Sequence, residues 1–219
     1  LSIVTLLTLP GKTKLGIWHI EEAAGELEKK LQLSAQEKAL LRSFRHSKRY
    51  VHWLGSRVLL RSILQTDRFI ELSENEVHKP CLVNFPHEVS ISHSGDYAAV
   101  MVSEEYETGV DIEKISDKAL RIASRFLHPD ELEWLLAGAD EKKEERAIRL
   151  WCAKEALYKL YARGKVDFRK ELRIPTGPAI DGPRFDGFIL KDGKKEKYPI
   201  GILREEDYLI AYSYGHWPA

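Results

Sequence analysis

Two periods of apolar and polar residues divide the chain into elements. Residues 2–9 and 14–20 have the alternation and β-branched content of strands, and Pro10-Gly11-Lys12 between them reads as a turn. Glu21 and Glu22 open a helix to about residue 32. Ser34 and Glu37 have the spacing of a capping box, serine at the N-cap and glutamate at N3, for a short helix ending near Phe44. Ser47 can cap the next helix, to about Gln65, with an apolar stripe of Val51, Leu54, Val58, Leu59 and Ile63. After a polar connection, residues 76–80 form a short extended segment ended by proline. Residues 88–95 begin as a strand with Val89, Ile91 and His93 on one face, and the Ser94-Gly95-Asp96 turn returns the chain through residues 97–103.

Residues 104–108 are a polar break, and we set the boundary between two halves there, 1–104 and 105–219. No repeat shows at the level of residues. Beyond the break, residues 108–115 alternate so that Val110 and Ile112 point to one side and Asp111 and Glu113 to the other. Ser116 can cap a helix through Leu127, and Pro129 restarts one as its first helical residue. A long helix follows over about residues 141–163. The pattern then changes to strands at 168–174, 185–190, 198–203 and 208–214, separated by Pro, Gly and Asp-Gly turns. This order, without regular β-α alternation, is α+β.

Composition narrows the function classes. A chain of 219 residues, 43% hydrophobic and 31% charged, can bury a full core as one large or two small domains. Lysine plus arginine (34) balance aspartate plus glutamate (34), so no global field points to nucleic acid or membrane, and an electrostatic partner must be met by a local cluster. One such cluster exists. Between Lys38 and Thr66 there is no acid, yet Arg42, Arg45, Lys48, Arg49, Arg57 and Arg61 are present, which suits phosphates. Cys81 and Cys152 are too few for a disulfide framework or a four-ligand zinc site, which fits a reducing compartment. Residues 1–9 are too short for a spanning helix and lack a charged leader and cleavage site. The expected location is the cytoplasm.

Chemistry concentrates in two places. Asp111 and Glu113 share a strand face beside Gly109, an arrangement suited to a hard cation such as Mg²⁺ or to an exposed strand face. In residues 151–159, Trp151, Glu155 and Lys159 follow one row of the helix, with Lys154 beside the carboxylate. By itself the Glu155–Lys159 spacing describes a surface pair worth about 0.2–0.5 kcal/mol. Three carboxylates, two lysines, a histidine ending a neighbouring strand and a basic helix together suit magnesium and a phosphate-bearing substrate.

The segments Val89-Ser-Ile-Ser-His-Ser-Gly95, Thr108-Gly-Val-Asp-Ile-Glu113 and Trp151-Cys-Ala-Lys-Glu-Ala-Leu-Tyr-Lys159 resemble, in order and approximate separation, the motifs of the 4′-phosphopantetheinyl transferases. With Lys79-Pro80 and the arginine-rich helix, the resemblance spans roughly residues 45–160. The chain length is similar to that of the larger, monomeric class, in which two similar α+β halves form a pseudodimer. The resemblance implies Mg²⁺-dependent transfer of the phosphopantetheine arm of coenzyme A to a serine of an acyl or peptidyl carrier protein, releasing adenosine 3′,5′-bisphosphate. It implies Asp111, Glu113 and Glu155 as magnesium ligands. Glu155 would also take the serine's proton, directly or through a water on the metal, while Lys154 and Lys159 steady phosphate charge. His93 and Ser92 fall among the implied coenzyme contacts, Lys79 on the nucleotide side, and Arg49, Arg57 and Arg45 near the 3′-phosphate with Arg49 foremost. Trp151 reads as the anchor of the catalytic helix. One departure stands out: His78 occupies the place of the family's usual glycine before Lys79-Pro80. A magnesium-dependent nuclease and a catalytically silent coenzyme A binding module are the rival readings. The balanced charge argues against the first, and three carboxylates facing a diphosphate against the second.

Overall fold

The computed structural model describes residues 3–44, 47–137 and 142–217. Strand β1 (Ile3–Leu9) pairs antiparallel with β2 (Thr13–His19) across the expected turn. Burial alternates along β1 because it is an edge strand with one open face, whereas β2 lies between two neighbours and is almost wholly buried. Helix α1 (Ala24–Lys29) is shorter than expected, and Ala23 gives it no side-chain cap. Helix α2 (Ala35–Ser43) carries the full capping box of Ser34 and Glu37. In α3 (Lys48–Leu64) the stripe of Leu54, Val58, Leu59 and Ile63 is buried, and Val51 is half-buried. Ser47 sits at its N-cap, but the hydroxyl donates back to Phe44 O at 2.6 Å.

Two short strands, β3 (Leu72–Glu74) and β4 (Pro80–Leu82), form their own ladder. The hairpin of β5 (Glu88–Ser94) and β6 (Tyr97–Ser103) turns on Gly95, whose φ of 58° is the left-handed region glycine enters without penalty. The first sheet has the order β1-β2-β6-β5.

After β7 (Glu107–Lys114), the helix expected from Ser116 is broken into α4 (Lys118–Arg121) and α5 (Ala123–Phe126) at Ile122, whose φ of −108° leaves the helical region. Helices α6 (Pro129–Ala137) and α7 (Lys143–Tyr161) follow. The strand expected over 168–174 is only β8 (Leu172–Arg173), followed by a 3-10 turn (Pro178–Asp181). Strands β9 (Arg184–Lys191), β10 (Lys194–Glu205) and β11 (Tyr208–Gly215) complete a second antiparallel sheet of order β7-β11-β10-β9-β8. The fold is mixed α+β with antiparallel sheets. In both sheets the strand preceding a long helix, β2 or β7, lies beside the last strand of its set, β6 or β11, which in turn pairs with β5 or β10.

Period two in the strands separates the cores. Leu209 and Ala211 pack under α7 with Leu150, Ala153 and Leu157, while Ile210 and Tyr212 turn the other way. That opposite face meets Val110, Ile112, Leu15, Ile17 and Met101 in a core shared by the two sheets. A third core lies under α3, around Trp18, Leu54, Leu59 and Val100.

Helix α7 comes to rest directly on β7. A Cβ at Gly109 would run into Ala156 O and lie 2.7 Å from Leu160 N, both helix backbone atoms that cannot swing aside. The space at Gly109 thus admits the helix backbone. We expect Gly109→Ala to destabilise the fold by about 1–3 kcal/mol through overpacking, measured as a lower urea midpoint with an unchanged slope.

Candidate active site

The edge strands β5 and β7 of the two sheets run alongside each other, and serines of β5 span the seam. Ser90 Oγ accepts from Val110 N–H at 3.0 Å, and Ser92 Oγ accepts from Ile112 N–H at 3.4 Å. In the other direction, Ser92 Oγ donates to Asp111 Oδ1 at 2.8 Å and Ser94 Oγ to Glu113 Oε2 at 3.0 Å. From α7, Lys159 Nζ donates to Asp111 Oδ1 (2.7 Å), Ser92 Oγ (3.0 Å) and Val110 O (3.0 Å). Its three hydrogens therefore go to the seam, and Lys159 ties helix to strand instead of forming a solvated pair along the helix with Glu155.

Asp111 is buried, and its Oδ2 has no hydrogen-bond partner. The Cys152 thiol lies near Asp111, but its hydrogen is directed to Leu209 O at 3.8 Å. A carboxylate oxygen enclosed without a donor is costly, and a cation would relieve it. Glu155, half-buried, is pushed up to about 7 by burial and then by Asp111, with Lys159 opposing and Glu113 adding to the rise. Burial and then Asp111 also raise Glu113, against the pull of the Ser94 hydrogen bond. Among the described residues no three His, Cys, Asp or Glu side chains converge closely enough to hold a metal alone. That is compatible with Mg²⁺, which keeps several waters and shares its ligands with substrate phosphates. Hard, mutually repelling oxygens with one enclosed and unpartnered fit that ion.

A cavity of about 290 Å³ opens beside Lys159, walled by Val77, Lys79, Pro80, Ser90 and Tyr158. Lys79 is buried there and pairs with Glu88 at 3.3 Å. His78 also lines this cavity and holds a φ of 62°, so the backbone keeps a shape that glycine would adopt with less strain. Its ring Nδ1 lies 3.0 Å from Glu74 Oε2.

His93 stacks on His52 of α3, ring centroids 4.3 Å apart and planes at 22°. His52 Nε2 lies 2.6 Å from Gly95 O, which makes that nitrogen the protonated one. His93 is exposed on its outer side, but crowding by the His52 ring and then the charges of His52 and Lys159 lower its pKa, so it is neutral at pH 7. The sequence reading passed over His52 because it sits in the arginine-rich stretch. Its signal was the helix face turned toward the β5–β6 hairpin.

Two expected site residues lie elsewhere. Lys154 is wholly buried and faces α6: its Nζ pairs with Glu131 at 2.6 Å and donates to Phe126 O (3.0 Å) and Phe168 O (2.7 Å). It cannot steady a phosphate; it joins α6 to α7. Arg57 lies flat on the Trp53 ring, 3.4 Å from its centroid, and burial lowers its pKa to about 10. Its crevice, with Gln32, Glu37 and Leu60, shares no residue with the cavity beside Lys159. Arg49 is exposed, over the Phe44 ring at 5.0 Å, and Arg45 lies outside the described residues. Trp151 packs edge-on against Phe126 (4.9 Å) and stacks on Phe168 (6.0 Å), consistent with an anchor for α7.

A sequence model of the 4′-phosphopantetheinyl transferase superfamily matches residues 107–213, the segment that carries Asp111, Glu113, Glu155 and Lys159. Over that segment the chain is similar to this superfamily. It is 28% identical over 176 residues to the 4′-phosphopantetheinyl transferase gsp of Aneurinibacillus migulanus, covering 78% of this chain and 70% of that one. With the 4′-phosphopantetheinyl transferase Sfp of Bacillus subtilis (strain 168) it shares 31% identity over 138 residues, 60% of this chain and 61% of Sfp. A further 4′-phosphopantetheinyl transferase of Bacillus subtilis is 26% identical over 204 residues, 89% of this chain and 88% of the relative.

Two outcomes test the site. Lys154→Ala removes the short ion pair of the buried Glu131, which keeps two backbone N–H donors and only the more distant Arg173 Nε at 3.9 Å, so unfolding free energy should fall by about 3 kcal/mol in urea titration. Glu155, raised from 4.5 to about 7, binds more protons folded than unfolded in that window. Stability of the metal-free chain should therefore fall as pH rises through it. Thermal melts across that range should show the decline, with added Mg²⁺ restoring more at the upper end.

Proposed function

We propose that this chain transfers the 4′-phosphopantetheine arm of coenzyme A to a serine of an acyl or peptidyl carrier protein, releasing adenosine 3′,5′-bisphosphate. The observation that carries the reading is the enclosed Asp111 oxygen among three carboxylates, bordered by Lys159 and a cavity that also holds Lys79. Relatives named 4′-phosphopantetheinyl transferases support the activity. Asp111, Glu113 and Glu155 would hold Mg²⁺, which when bound would supply positive charge to the diphosphate.

The chain's own residues divide the remaining work. Glu155, half-buried beside Asp111 and Lys159, can accept the serine hydroxyl's proton directly or through a water. Lys159, at the border between Asp111 and the cavity, can share its ammonium with phosphate oxygens as charge shifts to the leaving group. Neutral His93, backed by His52, offers a ring N–H to a phosphate, and Lys79 serves the nucleotide side. Arg49 is the retained candidate for the 3′-phosphate. The shared three-strand pattern, β2-β6-β5 and β7-β11-β10, supports a pseudodimer of halves 1–104 and 105–219, which we take to act as a monomer. No helix among the described residues is long and apolar enough to cross a membrane, and Cys81 and Cys152 are free thiols, which favours the cytoplasm.

The chain, coenzyme A, Mg²⁺ and a panel of apo carrier proteins should give carriers heavier by one phosphopantetheine in intact-mass spectra. Asp111→Ala should lose the transfer by about 100-fold or more, since a metal ligand underlies several kcal/mol of charge stabilisation, while keeping its circular dichroism spectrum. No gain on any carrier, or near-normal turnover by the variant, would overturn the reading; cleavage of DNA instead would favour a nuclease.

A further inference from the structure

A serine hydroxyl has one hydrogen to donate and two lone pairs with which to accept. Ser92 uses all three within the protein: it donates to Asp111 Oδ1 (2.8 Å) and accepts from Lys159 Nζ (3.0 Å) and Ile112 N–H (3.4 Å). No hydrogen remains for a phosphate, so the expectation that this hydroxyl grips the coenzyme gives way to another role. Ser94, two residues on and on the same strand face, repeats the pattern by donating to Glu113 Oε2 at 3.0 Å. The donors belong to β5 and the acceptors, also two residues apart, to β7, so the contacts are successive rungs across the seam.

Resting on the cation reading of the proposed function, we infer that Ser92 and Ser94 are positioning residues of the cation site, which is therefore assembled from both halves of the chain. Each serine holds one carboxylate oxygen toward β5. For Asp111 this leaves Oδ2, the enclosed and unpartnered oxygen, as the one presented to a cation. Glu113, with its longer side chain, has more rotamer freedom to lose when a cation binds, and a hydrogen bond already in place removes part of that cost. Outer partners of this kind commonly change metal affinity by about 10–100-fold. Residues 107–213, matched by the superfamily, include all three carboxylates but neither serine. That segment alone is an incomplete site.

Ser94 is the better probe, because Ser92 is also bonded to Lys159. Free Mn²⁺ measured by electron paramagnetic resonance during titration of the full chain should show Ser94→Ala binding about 10-fold more weakly than wild type. Ser94→Thr, which keeps the hydroxyl, should recover most of the affinity, and both variants should melt at the wild-type temperature. Wild-type affinity in Ser94→Ala overturns the inference. Equal weakness of Ser94→Thr and Ser94→Ala also overturns it, since packing and not the hydrogen bond would then be responsible. Failure of the wild type to bind Mn²⁺ removes the cation reading and this inference together. If the variants order as expected but no carrier is modified, the transfer reading falls while this inference stands. If transfer proceeds and Ser94→Ala holds Mn²⁺ as tightly as wild type, this inference alone falls.

Discussion

The close approach of α7 to β7 governs the site. A helix packed on a sheet usually stands off by the depth of its side chains, but here the contact is backbone to backbone over Gly109, and the helix presents Cys152, Ala153 and Ala156, all fully buried. Small residues on one element and glycine on the other bring the axes together. The consequence reaches three residues further along the helix, where Lys159 lies near enough to the strand to bond Asp111 and Val110 O. Glu155, one turn back, is carried into the same half-buried zone. A spacing that in isolation describes a solvated helix pair becomes a tie between helix and strand because the helix has no room to stand away.

That approach also fixes the electrostatics. Three carboxylates and one ammonium are gathered where water is partly excluded, and their repulsion is relieved by two means. Glu155 retains a proton up to about pH 7, and Lys159 gives its shortest bond to Asp111. Both are partial remedies, since Asp111 Oδ2 stays without a donor. A cation would relieve this imbalance, and a carboxylate cluster serving only stability would be expected to satisfy its buried oxygens. The same positive end of Lys159 helps keep His93 neutral.

Much of the architecture could be read from the sequence, and the misses share a cause. Period-two segments, the Ser34–Glu37 capping box and the Gly95 and Asp192-Gly193 turns act over a few residues, so the local pattern decides them. Direction around a helix is less local. Lys154 directly precedes Glu155 in sequence, but consecutive helical residues point about 100° apart, and its partner Glu131 lies on another helix. Arg57 was drawn to Trp53, one turn away, by a stacking that composition does not announce. The seam contacts were invisible for a related reason: Ser94 and Glu113 are 19 residues apart, and only the meeting of two sheet edges makes them neighbours.

The two sheets share a three-strand pattern, β2-β6-β5 and β7-β11-β10, but not a helix contact, and this asymmetry explains why the carboxylates gather on one side. On β2, Gly16 faces the side chains of Ile63 and Leu59, whose methyl carbons come within 2.9 and 3.1 Å of where a Cβ would be. Helix α3 thus meets its strand through branched apolar side chains, which fill the space that on β7 belongs to Asp111 and Lys159. A polar cluster in the first half would have to displace that core. What the first half can offer is its edge: β5 carries Ser92, His93 and Ser94 on a strand with no sheet partner on its outer side, and the neighbouring ladder brings Lys79 to the cavity. The second sheet with α7 therefore gathers the carboxylates by close helix packing, the first brings donors along its β5 edge, and the candidate site lies where the two meet.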